Sequence, residues 1–205
     1  MRRAVVLILV VLWGATAAPA ALIGIAGGPA APAATLGPYT MTPFPADPQP
    51  TGYSPVTSVA SPLGGSVDFS ATMSHAVIGE WATWSHGYTG DIYYTGGATA
   101  VTMTMPAGTG AFYFYTEPNP FAVYEIVATT PEGAFVSQYV DGNAGAAYYG
   151  FYGTGGDLLS TITVRSEVDF AVGEFGIAAV PLPGAVLLGS IGLGYASMRL
   201  RRRAA

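Results

Sequence analysis

Ala111-Phe112-Tyr113-Phe114-Tyr115-Thr116 decides the fold. A strand sends successive side chains to opposite faces. Phe112 and Phe114 therefore share one face, and Tyr113 and Tyr115 the other. Aromatic and β-branched residues in a short run favour the extended chain. The hydrocarbon rings ask for a core, and the hydroxyl-tipped rings suit a polar-tipped surface. Just upstream, Val101-Thr102-Met103-Thr104-Met105 alternates strictly, with Val101, Met103 and Met105 facing one way and both threonines the other. Pro106–Gly110 between the two runs reads as a turn.

The same pattern continues outward. Pro118-Asn119-Pro120 turns and Phe121–Thr129 extends. Phe135–Val140 leads into Asp141-Gly142-Asn143-Ala144-Gly145, a strong hairpin signal, and Ala146–Tyr152 follows. Gly153–Asp157 turns again, and Leu159–Arg165 and Phe170–Ile177 close the series. Upstream, Ser66–Ser70, Ala76–Gly79 and Asp91–Tyr94 are weaker strands. Within Asp169–Ile177 the apolar side switches from even to odd positions at Gly173, which marks a bulge and points Glu174 out at a sheet edge. About nine short strands, roughly ten residues apart, imply an all-β domain over 63–178, an antiparallel β-sandwich of jelly-roll type. Helical periods are confined to the two ends of the chain.

Charge is segregated. The chain of 205 residues has no cysteine and no lysine. Disulfides and thiol chemistry are thereby excluded. Arg2 and Arg3 lie at one end, Arg199, Arg201, Arg202 and Arg203 at the other, and only Arg165 between. All 12 acids fall between Asp47 and Glu174, so one arginine against twelve carboxylates leaves the middle at −11. Such a surface does not bind nucleic acid through phosphates.

Both ends carry addresses. Met1-Arg2-Arg3, ten apolar residues at Ala4–Trp13, and small residues through Ala20 form a secretory signal peptide over 1–20. Ala15-Thr16-Ala17 and Ala18-Pro19-Ala20 are the candidate cuts for signal peptidase. An uncleaved helix continuing through Ile25 is the rival reading, and Pro19 argues against it. Residues 21–62 read as a Pro/Ala-rich linker or strap: nine of the 16 prolines fall between Pro29 and Pro62. Leu36–Phe44 and Tyr53–Val59 are its ordered pieces, strapped over the domain. At the other end, Val180-Pro181-Leu182-Pro183 precedes the uncharged run Ala185–Met198, roughly 21 Å long as a helix. The arginine cluster then holds its flank cytoplasmic. The segment 180–203 is thus a transmembrane helix with a Pro-bracketed head and a basic stop.

That order resembles the PEP-CTERM sorting signals of Gram-negative bacteria, in the variant headed by Val-Pro-Leu-Pro. It covers about an eighth of the chain and has Leu182 where the name-giving Pro-Glu-Pro form has Glu. The resemblance implies export across the inner membrane, transient anchoring, and processing by an exosortase-like membrane protease. The product would be released to the cell surface or extracellular matrix, in company with exopolysaccharide. The middle of the chain is similar to the uncharacterised β-sandwich modules that precede such tails, on Ala111–Tyr115, Tyr149–Gly153 and Asp169–Ile177.

For chemistry, the densest stretch is Met73–Tyr94, with His75, His86, Glu80, Trp81, Trp84, Tyr88 and Asp91. Trp81, Trp84 and Tyr88 are a candidate glycan platform, since exposed rings stack on sugar faces and nearby acids accept hydroxyls. The plainer reading is an aromatic loop pinning two sheets. His75, His86 and Asp91 are a weak zinc set. No cofactor is required. Calcium is the metal this carboxylate-rich core would suit. Asp141-Gly142-Asn143 resembles a fragment of a calcium loop, although turn chemistry explains it equally. No Gly-x-Ser-x-Gly, His-Glu-x-x-His or phosphate-loop motif occurs. Ser85, His86 and Asp91 could be picked as a triad, as in any serine-rich chain. The expectation is a non-enzymatic exported surface or matrix protein. A calcium-dependent carbohydrate-binding module is the alternative. A glycan-acting hydrolase stands third, since its paired carboxylates obey no spacing rule.

Overall fold

The computed structural model describes residues 21–181. These form fourteen strands and no helix: β1 (Ala21–Gly28), β2 (Thr35–Leu36), β3 (Tyr39–Thr40), β4 (Thr42–Pro43), β5 (Ser54–Ala60), β6 (Ser66–Val77), β7 (Asp91–Tyr94), β8 (Ala100–Thr104), β9 (Thr109–Pro118), β10 (Val123–Thr129), β11 (Phe135–Asp141), β12 (Ala147–Thr154), β13 (Thr161–Ser166) and β14 (Phe170–Ala179). Twelve belong to one antiparallel sheet. Its hydrogen bonds run β1-β12-β9-β14-β7-β6-β8-β13-β10-β11, with β4 added to β14 and β5 to β6. The expected all-β class holds. The pairing is continuous, and the sheet curls until its ends nearly meet.

The near-closure is specific. The Gly28 amide of β1 donates to Gln138 Oε1 of β11 at 3.2 Å, and Gln138 Nε2 donates to the Tyr148 carbonyl of β12 at 2.7 Å. A Cβ at Gly24 would lie 2.6 Å from Val136 Cγ2, so β1 approaches β11 because Gly24 has no side chain. Inside the curl Phe112, Phe114, Tyr149, Phe151, Met103 and Ile162 are wholly buried. Each such side chain contributes about 1.5–3 kcal/mol on leaving water. Phe175 stacks on Tyr93 at 5.5 Å and meets Phe112 at 5.5 Å. The Tyr149 hydroxyl crosses the interior to the Ile126 carbonyl at 2.8 Å.

Several expectations change. The second face of β9 is not a surface: Tyr113 and Tyr115 are 2 % and 0 % exposed, under Leu36, Tyr39 and Met41. The Tyr115 hydroxyl is served by the covering strap, where it donates to the Ala30 carbonyl. Likewise Tyr39 donates to the Gly153 carbonyl at 3.1 Å. Residues 21–28 are strand rather than the end of a helix through Ile25. They pair with β12 from Ala21 opposite Thr154 to Gly28 opposite Tyr148. Residues 21–62 thus contribute three strands of the large sheet, β1, β4 and β5, besides the covering strap. The turn after β11 has its expected chemistry, with Asp141 Oδ1 accepting the Asn143 amide at 2.9 Å. Yet β11 and β12 form no hairpin, because β1 occupies the place between them.

Glu174 is also relocated. A register shift between Gly173 and Gly176 is the expected bulge. However, β14 is central, with β9 on one side and β7 and β4 on the other, so Glu174 is not at an edge. It is 9 % exposed, with φ of 52°. Of the sorting motif, Val180 and Pro181 are described, and the Val180 amide donates to the Gly108 carbonyl at 2.9 Å. The expected signal segment 1–20, Leu182, Pro183, the expected transmembrane helix, and Arg199, Arg201, Arg202 and Arg203 lie outside the described residues.

Candidate functional site

The loop 78–90 between β6 and β7 folds over the outer face of β7, β14 and β9. Two carboxyls on that face, Glu117 and Glu174, anchor it. The Trp81 indole donates to Glu117 Oε2 at 3.3 Å, and the Trp84 indole to Glu174 Oε2 at 3.2 Å. A buried indole N–H needs an acceptor, and each finds one on the sheet. Trp81 is 6 % exposed and packs on Ile92 and Ala171. Tyr88 lies 6.3 Å from Trp84 and donates to the Asp91 carbonyl at 3.3 Å. The three residues read as a glycan platform are therefore turned toward the sheet, and Trp81 offers no open face for stacking. The loop pins the outer face instead.

The two histidines are built alike and kept apart. His75 Nδ1 lies 3.0 Å from the Pro50 carbonyl and its Nε2 2.9 Å from Asp91 Oδ1. His86 Nδ1 lies 3.1 Å from the Pro29 carbonyl and its Nε2 2.6 Å from Glu174 Oε1. Each imidazole ties a proline carbonyl of the N-terminal strap to a carboxylate of the sheet. Asp91 is committed to His75 and Glu174 to His86, so neither the zinc set His75–His86–Asp91 nor the triad Ser85–His86–Asp91 is assembled. Among the described residues no group of three His, Asp or Glu stands close enough to share a metal. Asp141 and Asn143 close a turn, with the side-chain Nδ2 of Asn143 donating to the Phe121 carbonyl at 2.8 Å.

The feature that the sequence did not disclose is a cleft of about 120 Å³ beside Trp81. Its walls come from four places: Tyr53 before β5, Glu80–Thr83 of the loop, Glu117 at the end of β9, and Asn119 and Phe121 of the following turn. Phe121 is 61 % exposed and Tyr53 44 %. Tyr53 is held with φ of 58° and donates its hydroxyl to the Glu80 carbonyl at 2.7 Å. Glu80 Oε2 accepts the amides of Gly52 at 3.0 Å and Val77 at 3.2 Å. Those bonds, the Gly52 amide first, hold its carboxyl below the usual range. Asn119 donates to Asp169 Oδ2 at 3.1 Å, and Tyr94 shares that oxygen.

Glu117 lies beneath this cleft and is 1 % exposed. Burial pushes its carboxyl up from 4.5 to about 7, against the opposing bonds from Thr83 and Trp81. The Thr83 hydroxyl stands between two acceptors, Glu117 Oε1 and the Gly142 carbonyl, the latter at 3.2 Å. A hydroxyl has one proton to give. Both acceptors are satisfied together when a protonated Glu117 donates to Thr83 and Thr83 donates to Gly142. Geometry and burial therefore favour the neutral acid. In the sequence Glu117 sits just before the Pro118-Asn119-Pro120 turn and carries no motif. Only the alternation from Tyr113 and Tyr115 places it on the covered face. Compared with known proteins, the chain matches no family model and no curated sequence.

Proposed function

We propose that this chain is a non-enzymatic, exported cell-surface or matrix protein that associates with exopolysaccharide. The observation that carries the reading is the layout of its ends. A signal-peptide pattern precedes β1, and the Val180-Pro181-Leu182-Pro183 motif begins directly after β14 ends at Ala179. The apolar run and the arginine stop follow without further acidic residues. The folded part is acidic, free of cysteine, and holds together by burial, which suits life outside the cell. Its inner cluster lies between opposed halves of the curled sheet, and this supports the finer reading of a jelly-roll-like sandwich.

Cell fractionation tests the proposal. A chain tagged in an exposed loop should appear at the surface or in the medium. Replacing Pro181 and Pro183 by Ala, or Arg199, Arg201, Arg202 and Arg203 by Gln, should retain it in the inner membrane or divert it. Wild-type chain confined to the cytoplasm would refute the reading.

The hydrolase reading has one observation in its favour: Glu80 and Glu117 line the same cleft. Both oxygens of Glu117 are engaged by Trp81 and Thr83, and Glu80 Oε2 by two amides. Carboxyls so tied suit holding a ligand better than passing a proton.

A further inference from the structure

We infer that the cleft between Tyr53 and Phe121 binds a sugar carrying a free amino group, with the C–H face of its ring against the aromatic rim and its ammonium on Glu80. The inference rests on the exopolysaccharide reading for its biological setting, and on the cleft for its chemistry. Three observations converge. The first is the rim. Phe121 and Tyr53 are both exposed aromatic side chains, and both border this cleft. An aromatic face presents apolar area and a negative quadrupole, which attracts both polarised C–H groups and cations.

The second is the set of polar groups. Glu80 is charged and fixed by the Gly52 and Val77 amides, with Asn119 and Thr83 beside it for hydroxyls. No arginine lines the cleft. The third is the field around it. With one arginine against twelve acids in the described fold, the domain repels uronate and sulfate chains and draws in ammonium groups. A neutral hexose would use the rim and leave the charge of Glu80 unanswered. A simple amine would answer Glu80 and leave the rim bare. An amino sugar uses both. The cleft is small and its rim has one pair of rings, so the site reads a single residue of a chain or its end.

The test is binding of the full chain, in mild detergent, to a glucosamine oligomer, to its fully N-acetylated counterpart, and to oligogalacturonate at physiological salt. The glucosamine oligomer should bind, N-acetylation should weaken it at least about tenfold, and oligogalacturonate should not bind. Phe121→Ala and Glu80→Gln should each weaken the glucosamine oligomer at least about tenfold. Phe121 is largely exposed, and the glutamine of Glu80→Gln keeps an oxygen for the two amides, so both variants should fold; circular dichroism checks this. Absence of binding by the wild-type chain overturns the inference. So does equal binding by the variants, which would mean attraction by the acidic surface at large. Equal binding of the acetylated oligomer removes the role of the amine and overturns it too. Retention of the host's own exopolysaccharide is measured in parallel. Unchanged retention by Phe121→Ala sinks the cleft while sparing the matrix reading. Loss of retention by wild type, with glucosamine binding intact, sinks the matrix reading while sparing the cleft.

Discussion

Glu117→Gln should make the fold more stable at neutral pH, although it removes a residue with two hydrogen bonds. Burial raises the carboxyl from 4.5 to about 7. At ~1.4 kcal/mol per tenfold in proton affinity, this penalises the charged form by about 3 kcal/mol. Glu117 lies one layer below an open cleft, and water there reduces the penalty to about 2 kcal/mol. The sign follows from linkage. Below pH 4.5 the group is protonated in both folded and unfolded chains and has no effect. Between 4.5 and 7 the folded chain keeps a proton that the unfolded chain has released, so stability falls as pH rises. Above about 7 both states are charged, and the full penalty remains. Glutamine reproduces the neutral acid: its amide nitrogen donates to Thr83, Thr83 donates to Gly142, and its oxygen takes the Trp81 indole. In residues 21–181, urea unfolding followed by the fluorescence of Trp81 and Trp84 measures the difference. The two proteins should match at pH 4.5, and the variant should be about 2 kcal/mol more stable at pH 8. Glu174 is raised by burial as well, but it is present in both proteins and cancels. Parallel pH profiles, or a variant weaker than wild type at pH 8, would refute the argument.

Three further outcomes follow from the packing. Gly176→Ala should lower stability by about 2 kcal/mol or more in urea, because its Cβ would fall 2.2 Å from the Tyr113 ring between buried β9 and β14. His86→Ala should release the strap near Pro29 while sparing the core. Limited proteolysis should then cut within residues 29–34, and the unfolding free energy from urea titration should fall by only about 1 kcal/mol. His75→Ala lies deeper, 0 % exposed between Pro50 and Asp91, and should cost about 3 kcal/mol through an unpaired carboxylate and a cavity.

Which parts of this molecule could be read from residues alone depends on range. Alternation is a local property, and the runs around Phe112, Met103 and Val172 gave their strands and inward faces directly. The bulge at Gly173 was equally local, since a change of phase needs one extra residue. Partner choice is not local. The Asp141-Gly142-Asn143 turn is chemically a hairpin turn, but β1, more than a hundred residues earlier, competes for the edge of β12. It wins with a glycine-thinned strand that also satisfies β11. Turn chemistry can reverse a chain without deciding which strand lies alongside.

The candidate cleft was hidden for the same reason. Tyr53, Glu80, Glu117 and Phe121 span about seventy residues and meet only because the sheet curls. The aromatic density of Met73–Tyr94 drew attention to Trp81 and Trp84, yet their rings serve the fold. What marks an indole as structural here is a carboxyl of matching face on a buried strand: Glu117 follows Tyr113 and Tyr115 at the period of two, so it shares their covered side. An acid at such a position must either be neutral or have donors brought to it. Loop 78–90 brings the Trp81 and Thr83 donors. Once Trp81 is spent on that acid, the rings left exposed beside the cleft are those of Tyr53 and Phe121.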